Sequence, residues 1–123
     1  MPQVYYVGLL GGTNDMQLLE ATAVGRDINR HRYLTDELDE ALQSPLVRQL
    51  MGLIRLRNTH PAFAGEWRLA DGDDEVVEMR WEHDGDDATL RVELGARTFA
   101  LSVSTPDGTA TATEREHLET LGR

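Results

Sequence analysis

The sequence predicts an α+β chain in which one buried strand and several helices precede a small antiparallel β module. Three observations carry that reading. Val4-Tyr5-Tyr6-Val7 is a β-branched and aromatic run without a polar residue, and Ser44-Pro45 opens a stretch with apolar residues at helical spacing. From Glu66 onward the hydrophobic period changes to that of a half-buried strand.

A run such as Val4–Val7, apolar on both faces, is the pattern of a strand covered by helices on either side. Such a strand needs neighbours at both edges, and none precedes it, so the chain reads as incomplete. A bare strand of this kind could also pair between two copies and give a homodimer. Gly8 to Gly12 form the loop after it. Asn14-Asp15 can cap a short helix over Met16, Leu18, Leu19 and Ala21, and Thr35 can cap another through Leu38 and Leu42, with Asp36 and Glu37 in its first turn. Gly25 to Tyr33 between them is an irregular, charge-rich loop.

Ser44 at the cap and Pro45 at the first helical position mark a strong helix start. Leu46, Val47, Leu50, Met51, Leu53 and Ile54 then share one face. The helix should stop near Asn58, because His60 precedes Pro61 and is disfavoured in the α region. His60 is expected at that terminus, where a partly charged imidazole suits the dipole. After Glu66, Trp67 and Leu69, then Val77, Met79 and Trp81, then Leu90, Val92 and Leu94, then Phe99, Leu101 and Val103 alternate with polar or small residues. Asp71-Gly72-Asp73-Asp74, Asp84-Gly85-Asp86-Asp87, Gly95-Ala96 and Pro106-Asp107-Gly108 separate them as turns. This is a meander with one buried face, in which Trp67 and Trp81 are both expected in the core. The polar tail from Glu114 is expected to be at most a frayed helix.

The 123 residues carry 22 acidic and 12 basic side chains, a formal net charge of -10, which argues against a nucleic-acid partner or an anionic membrane. No run approaches the ~18 apolar residues of a membrane span, and the amino terminus lacks the basic, then apolar, pattern of a signal peptide. With no cysteine, disulfides and thiolate metal sites are excluded, and a cytoplasmic location is expected. His31, His60, His83 and His117 lack ligand spacing, and the Asp-Gly-Asp-Asp segments lack the continuation of a calcium loop, so no metal is expected. Gly8, Gly11 and Gly12 do not make a dinucleotide fingerprint, and no cofactor is expected.

The segment Gly25-Arg26-Asp27-Ile28-Asn29-Arg30-His31 is the densest cluster of chemically capable groups. The fork of Arg26 could donate paired hydrogen bonds to sugar hydroxyls or a carboxylate. The alternative is an internally salt-bridged surface loop.

Pro2-Gln3-Val4-Tyr5-Tyr6-Val7-Gly8-Leu9-Leu10 resembles the eighth barrel strand of sucrose phosphorylases, and Gly25 to Tyr33 resembles the loop that follows it. Ser44-Pro45-Leu46-Val47 through Arg57-Asn58-Thr59-His60-Pro61-Ala62-Phe63 resembles their final barrel helix. These enzymes belong to the α-amylase superfamily of retaining glycosidases and glucosyltransferases. The resemblance implies that residues 1–64 are the end of a catalytic (β/α)8 (TIM) barrel, that 65–113 are the antiparallel β domain after it, and that 114–123 are a tail. It also implies the reaction: phosphorolysis of sucrose by inorganic phosphate to α-glucose 1-phosphate and fructose, through a covalent glucosyl intermediate with a carboxylate nucleophile and a second carboxyl as acid/base. Those carboxylates fall on barrel strands outside this chain, so the resemblance assigns no catalytic residue here. It assigns Arg26 to holding glucose hydroxyls.

A carboxy-terminal fragment of such an enzyme, inactive alone, is therefore the expected function. A sibling acting on sucrose 6-phosphate or glucosylglycerate is an alternative specificity. The remaining readings are a free-standing β module that binds carbohydrate or protein, favoured if Trp67 and Trp81 are exposed together, and a gene remnant without function.

Overall fold

The first apolar run folds into a local turn and not into a sheet. In the computed structural model, which describes residues 4–70 and 73–121, Tyr6–Leu9 form a short helix, α1. This corrects the strand expected over Val4–Val7. The described residues provide no strand beside it, and its backbone groups are satisfied along the chain: Leu9 N–H donates to Tyr5 O at 2.9 Å and Leu10 N–H to Tyr6 O at 2.9 Å. Val7 is buried, whereas Val4, Tyr5 and Tyr6 are not.

α2 spans Met16–Thr22, α3 spans Thr35–Gln43 and α4 spans Pro45–Thr59. The Asp15 carboxylate accepts from Leu18 N–H at 2.8 Å, which is the N-cap read from Asn14-Asp15. At α3 the cap itself is Leu34, and the Glu37 carboxylate reaches back to accept from Leu34 N–H at 2.8 Å. Gly25–Asn29 form a 3₁₀ turn within the loop expected to be irregular. Gly11, at a φ of 66°, packs against Leu46 and Val47 in the first turn of α4. There only glycine is unstrained, and a side chain would press on Leu46.

The described residues fall into two compact units, one running to Leu50 and one beginning at Met51. The division lies inside α4, whose last turns supply Leu53 and Leu56 to the sheet's core.

The second unit is built on a five-stranded antiparallel sheet in the order β1-β2-β3-β4-β5: Glu66–Leu69, Val76–His83, Asp86–Glu93, Thr98–Thr105 and Gly108–Ala112. Its register explains the alternation. Trp67 faces Trp81, which faces Ala88, then Val103, then Ala110, while Leu69, Met79, Leu90, Leu101 and Ala112 form the next row of the same face. The opposite face carries an ion-paired row in which Glu78 meets Arg80 at 2.5 Å and Arg91 at 3.3 Å. Asp84 and Gly85, with φ of 50° and 93°, join β2 to β3 in a two-residue turn of type I′. The Asp71-Gly72 pair expected as a turn lies outside the described residues.

Leu56, Phe63, Leu101, Val103 and Leu118 bury the apolar face of the sheet. Each fully buried side chain of this kind contributes ~1.5–3 kcal/mol. The tail is therefore not merely polar: Arg115–Glu119 form a 3₁₀ turn that drives Leu118 into the core. Trp81 is half-buried, with its ring 5.2 Å from Phe63. Trp67 is 61% exposed, contrary to the expectation that both tryptophans are core. It sits on the edge strand, and the 3₁₀ turn Pro61–Ala64 that carries Phe63 covers β2 and β3 instead. His60 caps that turn: Nε2–H donates to Ser104 O at 2.7 Å, and Nδ1 accepts from Ala62 N–H at 3.3 Å. Both ring nitrogens are thereby engaged in structural contacts.

Candidate functional site

Arg26 lies in the 3₁₀ turn Gly25–Asn29 and is exposed. Among the described residues its guanidinium makes no hydrogen bond or ion pair. Asp27 and Arg30 approach only to 4.0 Å, a weak pair at the surface. The internally salt-bridged loop therefore has little to hold it together through its own charges.

What fastens the loop comes from elsewhere in the unit. Asp15 N–H donates to Ile28 O at 2.6 Å. His31 Nδ1 lies 2.9 Å from Asp15 Oδ2, and its Nε2 lies 3.3 Å from Glu37 Oε2. The His31 carbonyl accepts from the Tyr6 hydroxyl at 2.9 Å, and Tyr33 stands edge-on to the imidazole at 4.7 Å. An open cleft of about 480 Å³ borders this cluster, lined by Gly12, Asn14, Asp15, Gln17, His31 and Tyr33.

The electrostatics follow the contacts. The hydrogen bond to Asp15, reinforced by Glu37, raises the His31 pKa above its ordinary value against the opposing effect of burial. Asp15 is lowered, first by His31 and then by Leu18 N–H. Glu37 is lowered, first by Leu34 N–H and then by His31. The sequence marks Asp15 and Glu37 as helix-start residues, which they are, and gives no sign that both reach His31. Among the described residues no group of three histidine or acidic side chains is placed to hold a metal ion, and no helix is long and apolar enough to cross a membrane.

No protein-family model matches the chain. Individual proteins do. The sucrose phosphorylase of Agrobacterium vitis is 51% identical over 104 residues, which is 85% of this chain and 21% of that protein. The glucosylglycerol phosphorylase of Marinobacter adhaerens is 38% identical over 119 residues, 97% of this chain and 24% of its own length. Among solved structures, the sucrose 6F-phosphate phosphorylase from Thermoanaerobacter thermosaccharolyticum superposes with a TM-score of 0.87 at 35% identity, covering 92% of this chain and 23% of that one. All three are phosphorylases by name, and the helices and five-stranded sheet described above are a portion of that fold. The chain belongs to the sucrose phosphorylase family. It spans about a fifth of the length of these relatives.

Proposed function

We propose that the chain is the carboxy-terminal piece of a sucrose-phosphorylase-type enzyme, and that it supplies one wall of the glucose pocket without the reacting carboxylates. The 51% identity to a sucrose phosphorylase over most of the chain carries this reading. In the complete enzyme, residues up to 64 close the end of a (β/α)8 barrel, and the sheet packs after it as an accessory domain. There Arg26 donates to glucose hydroxyls, which is the use its exposed, unpaired guanidinium supports. The chemistry is a double displacement at the anomeric carbon. A carboxylate displaces fructose while a carboxylic acid protonates its departing oxygen, and phosphate then displaces the carboxylate to give α-glucose 1-phosphate with retention. The other partners named by relatives, sucrose 6-phosphate, glucosylglycerol and glucosylglycerate, define the sibling specificities.

The test is phosphate-dependent release of glucose 1-phosphate from sucrose. The pure chain is expected to release none. A hybrid in which it replaces the matching segment of the Agrobacterium vitis enzyme is expected to release it. An inactive but folded hybrid counts against the reading.

A second reading rests on Trp67, which at 61% exposure offers a flat aromatic face at the sheet edge suited to a sugar ring or a protein partner. Half-burial of Trp81 against Phe63 leaves that face with one tryptophan and not two. Quenching or shifting of Trp67 fluorescence by oligosaccharides would support it, and an unchanged spectrum would remove it.

A further inference from the structure

Both nitrogens of His31 face carboxylate oxygens that belong to different elements: Asp15 at the start of α2, at 2.9 Å, and Glu37 in the first turn of α3, at 3.3 Å. A neutral imidazole carries one N–H. It could donate to one carboxylate only, and would turn a nitrogen lone pair toward the lone pairs of the other. The imidazolium donates to both. The other groups against the ring and its backbone are the Tyr6 hydroxyl, from α1, and Tyr33, neither of which supplies a competing positive charge.

Asp15 is bound twice to the segment that follows Arg26, through its N–H to Ile28 O at 2.6 Å and through its carboxylate to His31. Ile28 and His31 are thereby pinned to one residue, and His31 is pinned to α3 as well. We propose that His31 is a positioning residue whose doubly protonated ring clamps the loop carrying Arg26 between α2 and α3, so that the conformation of this loop depends on pH. The consequence for glucose binding rests on the reading of Arg26 given above; the clamp itself does not.

The raised pKa of His31 sets the upper limit of the clamp. As pH climbs through it the ring loses one N–H, and one of the two contacts turns from attraction to lone-pair repulsion. The lowered pKa values of Asp15 and Glu37 set the lower limit, where their protonation removes the acceptors' charge. Between those limits the loop is held.

The experiment is a pH titration of the full 123-residue chain, labelled with ¹⁵N, following the His31 ring nitrogens together with the backbone amides of Arg26 to Asn29. Amides of β2 to β4 report in the same spectra that the sheet is intact. The ring is expected to carry both protons below a midpoint that lies above the ordinary histidine value of about 6.5. The loop amides are expected to shift with that midpoint, Asp15→Asn to lower it, and His31→Gln to abolish the loop transition. A midpoint at or below the ordinary histidine value, loop amides that do not follow the ring, or a transition that survives in His31→Gln would overturn the proposal. If His31→Gln disorders the first unit, the wild-type titration and Asp15→Asn still decide. Arg26→Ala separates the two readings: it leaves the His31 midpoint and the loop transition unchanged, whatever it does to sugar binding in the hybrid enzyme.

Discussion

Asp15 holds His31 through its carboxylate at 2.9 Å and Ile28 through its backbone N–H at 2.6 Å, so one residue caps α2 and ties down the loop that carries Arg26. Its removal should be felt in three places: the first turn of α2, the imidazole, and the loop.

The linkage to pH has a definite sign. His31 is raised in the folded chain, so its contribution is complete below about pH 6.5 and disappears as pH rises through the folded value. Asp15 and Glu37 are lowered, so theirs is complete above about pH 4.5 and disappears as pH falls through their folded values. Amide protection in α2 and α3, relative to Asp15→Ala at the same pH, should therefore be greatest between these limits. Equal protection in the two proteins across the range would contradict the assignment.

Leu56, from the last turns of α4, is buried among Phe63, Leu101, Val103 and Leu118. Leu56→Ala leaves a cavity there and should destabilise the second unit by about 2–5 kcal/mol. Denaturant unfolding followed by the amide signals of β3 and β4 measures this.

Gly52 faces the backbone of the 3₁₀ turn Arg115–Glu119: a Cβ at that position would meet Leu118 O and come within 2.8 Å of Glu119 Cα. Backbone cannot swing aside as a flexible side chain can. Gly52→Ala should cost about 1–3 kcal/mol despite the better helix propensity of alanine. A neutral or stabilising result in the same unfolding assay would show that the carboxy-terminal turn does not seat against α4.

The two tryptophans should behave differently although the register places them side by side. In Trp81→Phe the remaining Trp67 should emit at long wavelength and be readily quenched by acrylamide. In Trp67→Phe the remaining Trp81 should be blue-shifted and protected. Trp67→Ala is expected to change stability by less than about 1 kcal/mol, since it removes little buried surface.

These contrasts show where the sequence speaks and where it does not. Ser44-Pro45 with a period of 3.6, and Asp84-Gly85 between alternating strands, encode their structures within a few residues, and α4 and the β2–β3 turn follow from them. Val4–Val7 carries a strand's composition, but strand structure needs partners, none stands beside it among the described residues, and local hydrogen bonds bend the run into α1. Alternation assigns Trp67 and Trp81 to one face without telling which strand is the edge. The His31 cluster joins residues 16 positions apart on one side and 6 on the other, and no periodicity announces such a meeting. Arg26 stood out through the chemistry of its neighbours and the family likeness, not through any spacing.

The most direct test of the account is the steady-state response of the hybrid phosphorylase to Arg26→Ala. Loss of hydrogen bonds from a charged donor costs about 1.5–3 kcal/mol, so kcat/KM for sucrose should fall by at least tenfold, while the His31 titration stays where it was. An Arg26→Ala hybrid that turns over sucrose as well as its parent, or a 123-residue chain that releases glucose 1-phosphate unaided, would contradict it.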